Sequence, residues 1–260
     1  MESHKFKKKY GQNFLRDETI LDRIINESDI LEDSLVIEIG PGDGALTNRL
    51  ITKAKQVLAY EIDLDLKETL ERRFNNKNVD FIFEDFLTRN IKDDIEKYNY
   101  KNIYVIANIP YYITTPIIEK LIDSKIDIKK IILMVQKEVG DRFSAKPGSR
   151  DYSSITVYLN YYYEIKKLFT VPRNCFYPVP NVDSAIISFE KKDSHLIEDE
   201  DKFFRFVKDS FRFKRKNLKN NLSNYDLKKV EEILNKHGMD LTVRAESISL
   251  DIFEEIYKNL

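Results

Sequence analysis

The chain has 260 residues, 42% apolar and 33% charged, and its 43 basic and 44 acidic side chains leave a net charge of −1. That length holds one large domain and a smaller one with a self-sufficient core, in an ordinary soluble composition. No apolar run approaches the roughly 20 residues of a membrane span, and the opening MESHKFKKKY has no apolar stretch behind its lysines, so neither a membrane protein nor a secretory signal is expected.

From residue 35 onward, short apolar runs alternate with segments of helical period. LVIEIG (35–40) reads as a strand and ALTNRLITKA (45–54) as a helix, followed by strand QVLAYEID (56–63) and helix DLKETLERRF. VDFIFED (79–85), NIYVIANI (102–109) and KIILMVQ (130–136) read as further strands, and PIIEKLI (116–122) starts a helix with Pro116 in its first turn. Continuous apolar strands between helices predict a parallel sheet covered on both faces. SSITVYLNYYYEI reads as a β-rich aromatic run and DSAIISFEK (183–191) as an antiparallel strand finishing that sheet. After Lys192 the segments are helical only, with DKFFRFVKDSFRFKRKNL read as one helix. The expected division is a sheet domain over 1–192 and a helical domain over 193–260.

In parallel sheets, ligands sit beyond the carboxyl ends of the strands. The first strand runs into Gly40-Pro-Gly42-Asp-Gly44, where alternate glycines allow a tight turn and close approach to a ligand. A plain structural turn uses the same residues, but the second strand ends in Glu61, 21 residues after Gly40, the spacing of a carboxylate that accepts from ribose hydroxyls. The third ends in Glu84-Asp85, where a carboxylate suits an adenine amine. A dinucleotide such as NAD and S-adenosylmethionine both fit these three ends, and the absence of G-x-G-x-x-G in the loop leans toward the second.

The fourth strand decides between them. Asn108-Ile109-Pro110-Tyr111 has the form of the Asn/Asp-Pro-Pro-Tyr motif of amino-group methyltransferases. An adenine N6 amine is a poor nucleophile because its lone pair is delocalised into the ring. Donation of its two hydrogens to the Asn108 side-chain oxygen and the Ile109 carbonyl lets the nitrogen pyramidalise toward the methyl carbon. Pro110 fixes φ and holds that carbonyl, and Tyr111 offers a face for stacking an extruded base.

Charge is segregated along the chain. Lys5, Lys7, Lys8 and Lys9 crowd the N-terminus and Arg212, Lys214, Arg215, Lys216 and Lys219 a later stretch, while acid gathers at Glu198–Asp201. Either cluster alone reads as a solvated face; together they suit phosphate neutralisation by one face of a near-neutral protein. Three scattered histidines and the single Cys175 make no metal-ligand spacing, so no metal is expected, and a lone cysteine fits a reducing cytoplasm.

With these motifs in hand, the chain closely resembles the ribosomal RNA adenine N6-dimethyltransferases, and within them the small-subunit (16S) branch. The resemblance runs through YGQNFL (10–15), EIGPGDGALT (38–47), YEID (60–63), EDF (84–86), NIPY (108–111), MVQKEVGDRFSAKPGS (134–149), FYPVPNVDSA (176–185), RFKRKNLKNNL (212–222) and RAES (244–247). It implies a Rossmann-like class I methyltransferase sheet, mostly parallel with one antiparallel strand, and a small all-helical C-terminal domain. It implies S-adenosylmethionine held by Asn13, Leu15, Gly40, Gly42, Glu61, Ile62, Asp85, Phe86 and Asn108. Phe176 becomes the second aromatic wall facing Tyr111, and Lys7, Lys8, Lys9, Arg212, Lys214, Arg215 and Lys216 become RNA contacts. The implied activity is dimethylation of two adjacent adenines in a 3′-end hairpin of 16S ribosomal RNA in the assembling 30S subunit, by a cytoplasmic monomer. The competing readings are a large-subunit (23S) enzyme of the macrolide-resistance type and a ribosome-assembly factor with incidental methylation. Two residues depart from the family pattern: Tyr112 replaces a frequent Asn, and Asp43 replaces an apolar loop residue.

Overall fold

The computed structural model describes residues 13–109, 113–192 and 197–260, so the expectations placed on Lys7, Lys8, Lys9, Pro110, Tyr111 and Tyr112 lie outside the described residues. The apolar runs become strands β1 (Phe14–Leu15), β2 (Ser34–Ile39), β3 (Gln56–Tyr60), β4 (Val79–Ile82), β5 (Asn102–Asn108), β6 (Ile128–Gln136), β7 (Tyr163–Val171), β8 (Phe176–Tyr177) and β9 (Ser184–Lys191). Seven of them form one sheet in the order β4-β3-β2-β5-β6-β9-β7. Pairings β3–β4, β2–β3, β2–β5 and β5–β6 are parallel and β9 runs antiparallel to β6, as the sequence predicts. All six residues of β2 are buried, the signature of a strand covered on both faces. The chain runs from β2 out through β3 and β4, then returns to place β5 on the other side of β2, which opens a crevice between the ends of β2 and β5.

The helices are α1 (Glu18–Ser28), α2 (Thr47–Leu50), α3 (Lys67–Arg73), α4 (Ile91–Ile95), α5 (Thr114–Asp123), α6 (Lys137–Phe143), α7 (Ser154–Tyr162), α8 (Glu200–Ser210), α9 (Leu218–Asn221), α10 (Leu227–Lys236) and α11 (Leu250–Asn259). Among the described residues none is long and apolar enough to cross a membrane. α2 is shorter than its sequence pattern because Asn78 donates its amide to the carbonyls of Ile51 and Ala54 (3.0 and 2.9 Å), ending the helix there.

Two compact units result: one runs to Gly140 and resumes over Lys166–Lys191, the other combines Asp141–Ile165 with Lys192–Leu260. The second unit thus takes in a segment that the sequence reading placed with the sheet. The aromatic run expected there as a strand is instead helix α7 followed by β7. Its start is fixed by a capping box in which Ser153 and Thr156 bond reciprocally, and this outweighs the β-propensity of its tyrosines. The tyrosines then pack as a helical face: Tyr161 meets Phe203 and Phe204 at ring-centroid distances of 5.6 and 5.2 Å, and the Tyr162 hydroxyl donates to Glu200 at 2.7 Å.

The basic stretch expected within a helix is also different. α8 stops at Ser210, α9 starts at Leu218, and residues 212–216 form an exposed turn. The Asn221 amide donates to the Ser210 carbonyl at 2.7 Å, occupying an acceptor that one more helical turn needs.

Candidate active site

Asn13, Leu15, Gly40, Gly42, Glu61, Ile62, Asp85, Phe86, Asn108, Ile109 and Phe176 all line one cleft of about 220 Å³ in the first unit. Their convergence follows from register. Ile39 of β2 pairs with Ala107 of β5, so Gly40 stands beside Asn108 at the switch point. Gly40 has φ +76°, and a Cβ there would lie 3.0 Å from the Asn108 carbonyl oxygen. Gly42 has φ +59°, and a Cβ on it would come within 2.6 Å of the Phe14 ring. The glycine loop therefore fits between the end of β5 and the N-terminal strand. That strand is held in turn by β8, where Leu15 pairs with Phe176 and both side chains are buried.

Glu61, just past β3, is 4% exposed. One carboxylate oxygen accepts from the Gly42 N–H at 3.0 Å and the other from the Asp63 N–H at 2.8 Å. A carboxylate offers about four lone-pair sites, so Glu61, anchored at both oxygens and lining the cleft, has acceptor capacity left for a ligand. Burial raises its carboxyl above the ordinary range, and the backbone N–H groups of Asp63, Gly42 and Ile62 oppose that rise. The third strand end sorts its two acids. Both line the cleft, but Glu84 is exposed and paired with Arg89 at 3.2 Å, whereas Asp85 is half-buried and accepts from the Leu87 N–H at 2.9 Å through one oxygen. Phe86 is fixed edge-on to Tyr60 at 5.1 Å between ring centroids, and Ile62 leaves an apolar face 44% exposed beside Glu61.

Asp43, the unusual loop residue, pairs with Arg16, and its carbonyl accepts from Arg73 at 2.6 Å. Its charge is thus matched within the protein.

The sequence reading missed Glu38, a 1% exposed carboxylate in β2 that lines the same cleft and accepts from the Thr47 hydroxyl at 2.6 Å. The available signal was an acidic residue inside an otherwise apolar strand. Burial, reinforced by repulsion from Glu61 and opposed by the Thr47 hydrogen bond, pushes its carboxyl up to about 8 from an ordinary 4.5. With the folded value above the unfolded one, the contribution of this group to stability is full below pH 4.5 and is lost as pH rises to about 8. Glu38→Gln, which keeps an acceptor for Thr47, is expected to be increasingly more stable than the parent across that window, by roughly 3 kcal/mol at pH 7. Denaturant titrations at pH 5, 6, 7 and 8 check this; parallel curves for parent and variant contradict it.

A family model described as ribosomal RNA adenine dimethylase matches residues 3–260. The chain is 43% identical over 259 residues to ribosomal RNA small subunit methyltransferase A of Mycoplasma mobile, covering 99% of each chain. It is 46% identical over 261 residues to the protein of that name from Fusobacterium nucleatum, covering 98% of this chain and 97% of that one. Among solved structures, the 23S rRNA methyltransferase ErmE superposes with a TM-score of 0.79 at 27% identity, over 95% of this chain and 99% of that one. A dimethyladenosine transferase from Plasmodium falciparum superposes at 0.80 and 26% identity, over 94% and 95%. The mostly parallel sheet with one antiparallel strand is the Rossmann-like class I methyltransferase sheet of these neighbours.

Proposed function

Because the chain belongs to the ribosomal RNA adenine dimethylase family, we propose that it transfers methyl groups from S-adenosylmethionine to N6 of two adjacent adenines in a 3′-end hairpin of small-subunit (16S) ribosomal RNA. One observation carries the chemistry: Asn108 and Ile109, the two acceptors of the amine, line the same cleft as Glu61 and Asp85, the two carboxylates suited to an adenine nucleoside. The relatives named for the small subunit are 43% and 46% identical and the 23S enzyme 27%, which favours the small-subunit substrate over the large.

The donor set fits the cofactor. Glu61 has anchored oxygens with spare lone pairs for the ribose hydroxyls, Asp85 has a second oxygen for the adenine amine, and Ile62 and Phe86 supply apolar surface for its ring. Asn13, Leu15, Gly40 and Gly42 shape the methionine end from the loop and the N-terminal strand. The cofactor supplies an electrophilic methyl carbon on a sulfonium. The chain's own work is then to hold the target amine by Asn108 and Ile109, to stack its ring between Phe176 and Tyr111, and to exclude water. No side chain is needed as a strong base, because the electron-poor ring makes the methylated amine acidic. Placement of this kind supplies up to roughly 7–11 kcal/mol of barrier lowering in favourable cases.

Recognition of the assembling 30S particle falls to the basic segments Lys7–Lys9 and Arg212–Lys216, acting on phosphates, with the protein working as a cytoplasmic monomer. Methyl incorporation into separated, undermethylated ribosomal subunits tests the assignment. Label is expected in the small subunit; label confined to the large subunit overturns it.

A further inference from the structure

Some exposed cations in this structure meet an acid. Lys101 meets Asp33 at 2.7 Å, Lys191 meets Asp127 at 2.6 Å and Lys202 meets Asp199 at 2.8 Å. The turn between α8 and α9 gathers several that do not. Arg212, Lys214, Arg215 and Lys216 are all exposed, and among the described residues none has a carboxylate partner. In their midst stands Phe213, 54% exposed, one of two exposed phenylalanine or tyrosine side chains among the described residues, the other being Tyr177 at 59%.

A single exposed apolar residue needs no explanation by itself. Here the backbone around it is built to present it. The Phe213 N–H donates to the Asn221 side-chain oxygen at 3.1 Å, and the Phe213 carbonyl accepts from the Lys216 N–H at 2.8 Å. Asn221 spans to the Ser210 carbonyl at 2.7 Å, tying the turn to the end of α8. The Arg212 guanidinium lies over the Phe213 ring, 5.4 Å from its centroid, in a cation–π contact. Four unmatched cations flanking a displayed aromatic ring suit a single-stranded polyanion with π-faces, which is a nucleic acid.

We propose that Phe213 is a base-stacking residue: its ring takes an unpaired base of small-subunit ribosomal RNA while Arg212, Lys214, Arg215 and Lys216 hold the phosphates on either side. This rests on the ribosomal RNA reading above and adds to it a contact that charge alone does not provide. Lysines and arginines neutralise any phosphate, whereas a stacked ring needs a base that is not paired. The turn therefore selects a bulged or looped nucleotide, independently of the nucleotide that is methylated.

The test uses the full chain and undermethylated small subunits, measuring KM for the particle, kcat and binding over a range of salt. Phe213→Ala is expected to raise KM about 5- to 100-fold, as loss of one stacked base does, and to leave kcat unchanged. The slope of log affinity against log salt stays at its parental value in that variant, because no phosphate contact is lost, whereas Lys214→Ala and Arg215→Ala each reduce it by about 1. Phe213→Trp restores binding and Phe213→Leu does not. Equal KM for parent, Phe213→Ala and Phe213→Trp overturns the proposal, as does full rescue by Leu, which identifies apolar insertion instead of stacking. Melting curves of the variants are expected to match the parent, the side chain being exposed. Failure of the parent itself to methylate small subunits indicts the ribosomal reading, not the turn.

Discussion

Asn108→Ala is expected to lower methyl transfer about 10²–10³-fold at saturating cofactor while leaving cofactor affinity within about tenfold of the parent, comparable to the loss of one preorganised polar contact elsewhere in catalysis. The side chain stands at the end of β5, at the lip of the cleft, beside Gly40 and next to the buried Ile109. Removing its amide leaves the Glu61 and Asp85 carboxylates and their backbone donors in place, so the nucleoside half of the cleft persists. On the proposed reading, what is lost is one of the two acceptors whose hydrogen bonds draw the amine lone pair out of conjugation. The effect therefore falls on kcat, the mark of an interaction made in the transition state. Asn108→Asp keeps an acceptor oxygen and is expected to retain more activity than Ala. Single-turnover transfer combined with calorimetric cofactor binding separates the two effects; near-parental turnover in the Ala variant contradicts the role assigned to Asn108.

Glu61→Gln is expected to weaken cofactor binding about 10- to 100-fold, although it changes one atom. Both oxygens of Glu61 accept backbone N–H groups, from Gly42 and Asp63. An amide can present only one oxygen, so its NH2 must face one of these donors. An unsatisfied buried donor costs about 1–3 kcal/mol. Relief of the buried charge, which already raises the Glu61 carboxyl, offsets part of that cost but does not restore the lost bond. If the NH2 turns toward Gly42, the glycine loop shifts with it, and Gly42 has no slack because Phe14 occupies the space a Cβ would take. Calorimetric titration with S-adenosylmethionine reads the change. An unaltered affinity contradicts the role given to this carboxylate and moves the ribose contact elsewhere.

The sheet was legible because its strands are nearly uninterrupted apolar runs, a pattern that only double-sided burial requires. The strand-end groups were legible because in a parallel sheet the topology brings carboxyl ends together, so Gly40, Glu61, Asp85 and Asn108 converge without help from distant sequence. What failed to read correctly was decided by side chains remote in sequence or by local caps. The β-branched and aromatic composition around 154–162 favours a strand, yet the Ser153–Thr156 box and ring packing on α8 make it a helix. The basic stretch at 212–216 carries helical periodicity, yet Asn221 takes the Ser210 carbonyl and ends the helix. Glu38 escaped notice because sequence cannot tell a strand carboxylate facing solvent from one bonded to Thr47 in a closed cleft. Asp43 was ambiguous for the same reason, its partner Arg16 being 27 residues away.

The chemistry is tested most directly by the identity of its product. Undermethylated small subunits are incubated with the protein and S-adenosylmethionine, their RNA is digested to nucleosides, and the methylated adenosines are resolved by mass spectrometry. A cleft that grips an exocyclic amine predicts N6,N6-dimethyladenosine, built through the N6-monomethyl form, at two neighbouring positions. Methyl groups found on a ring nitrogen or a ribose oxygen, or no methylated adenosine at all, contradict it.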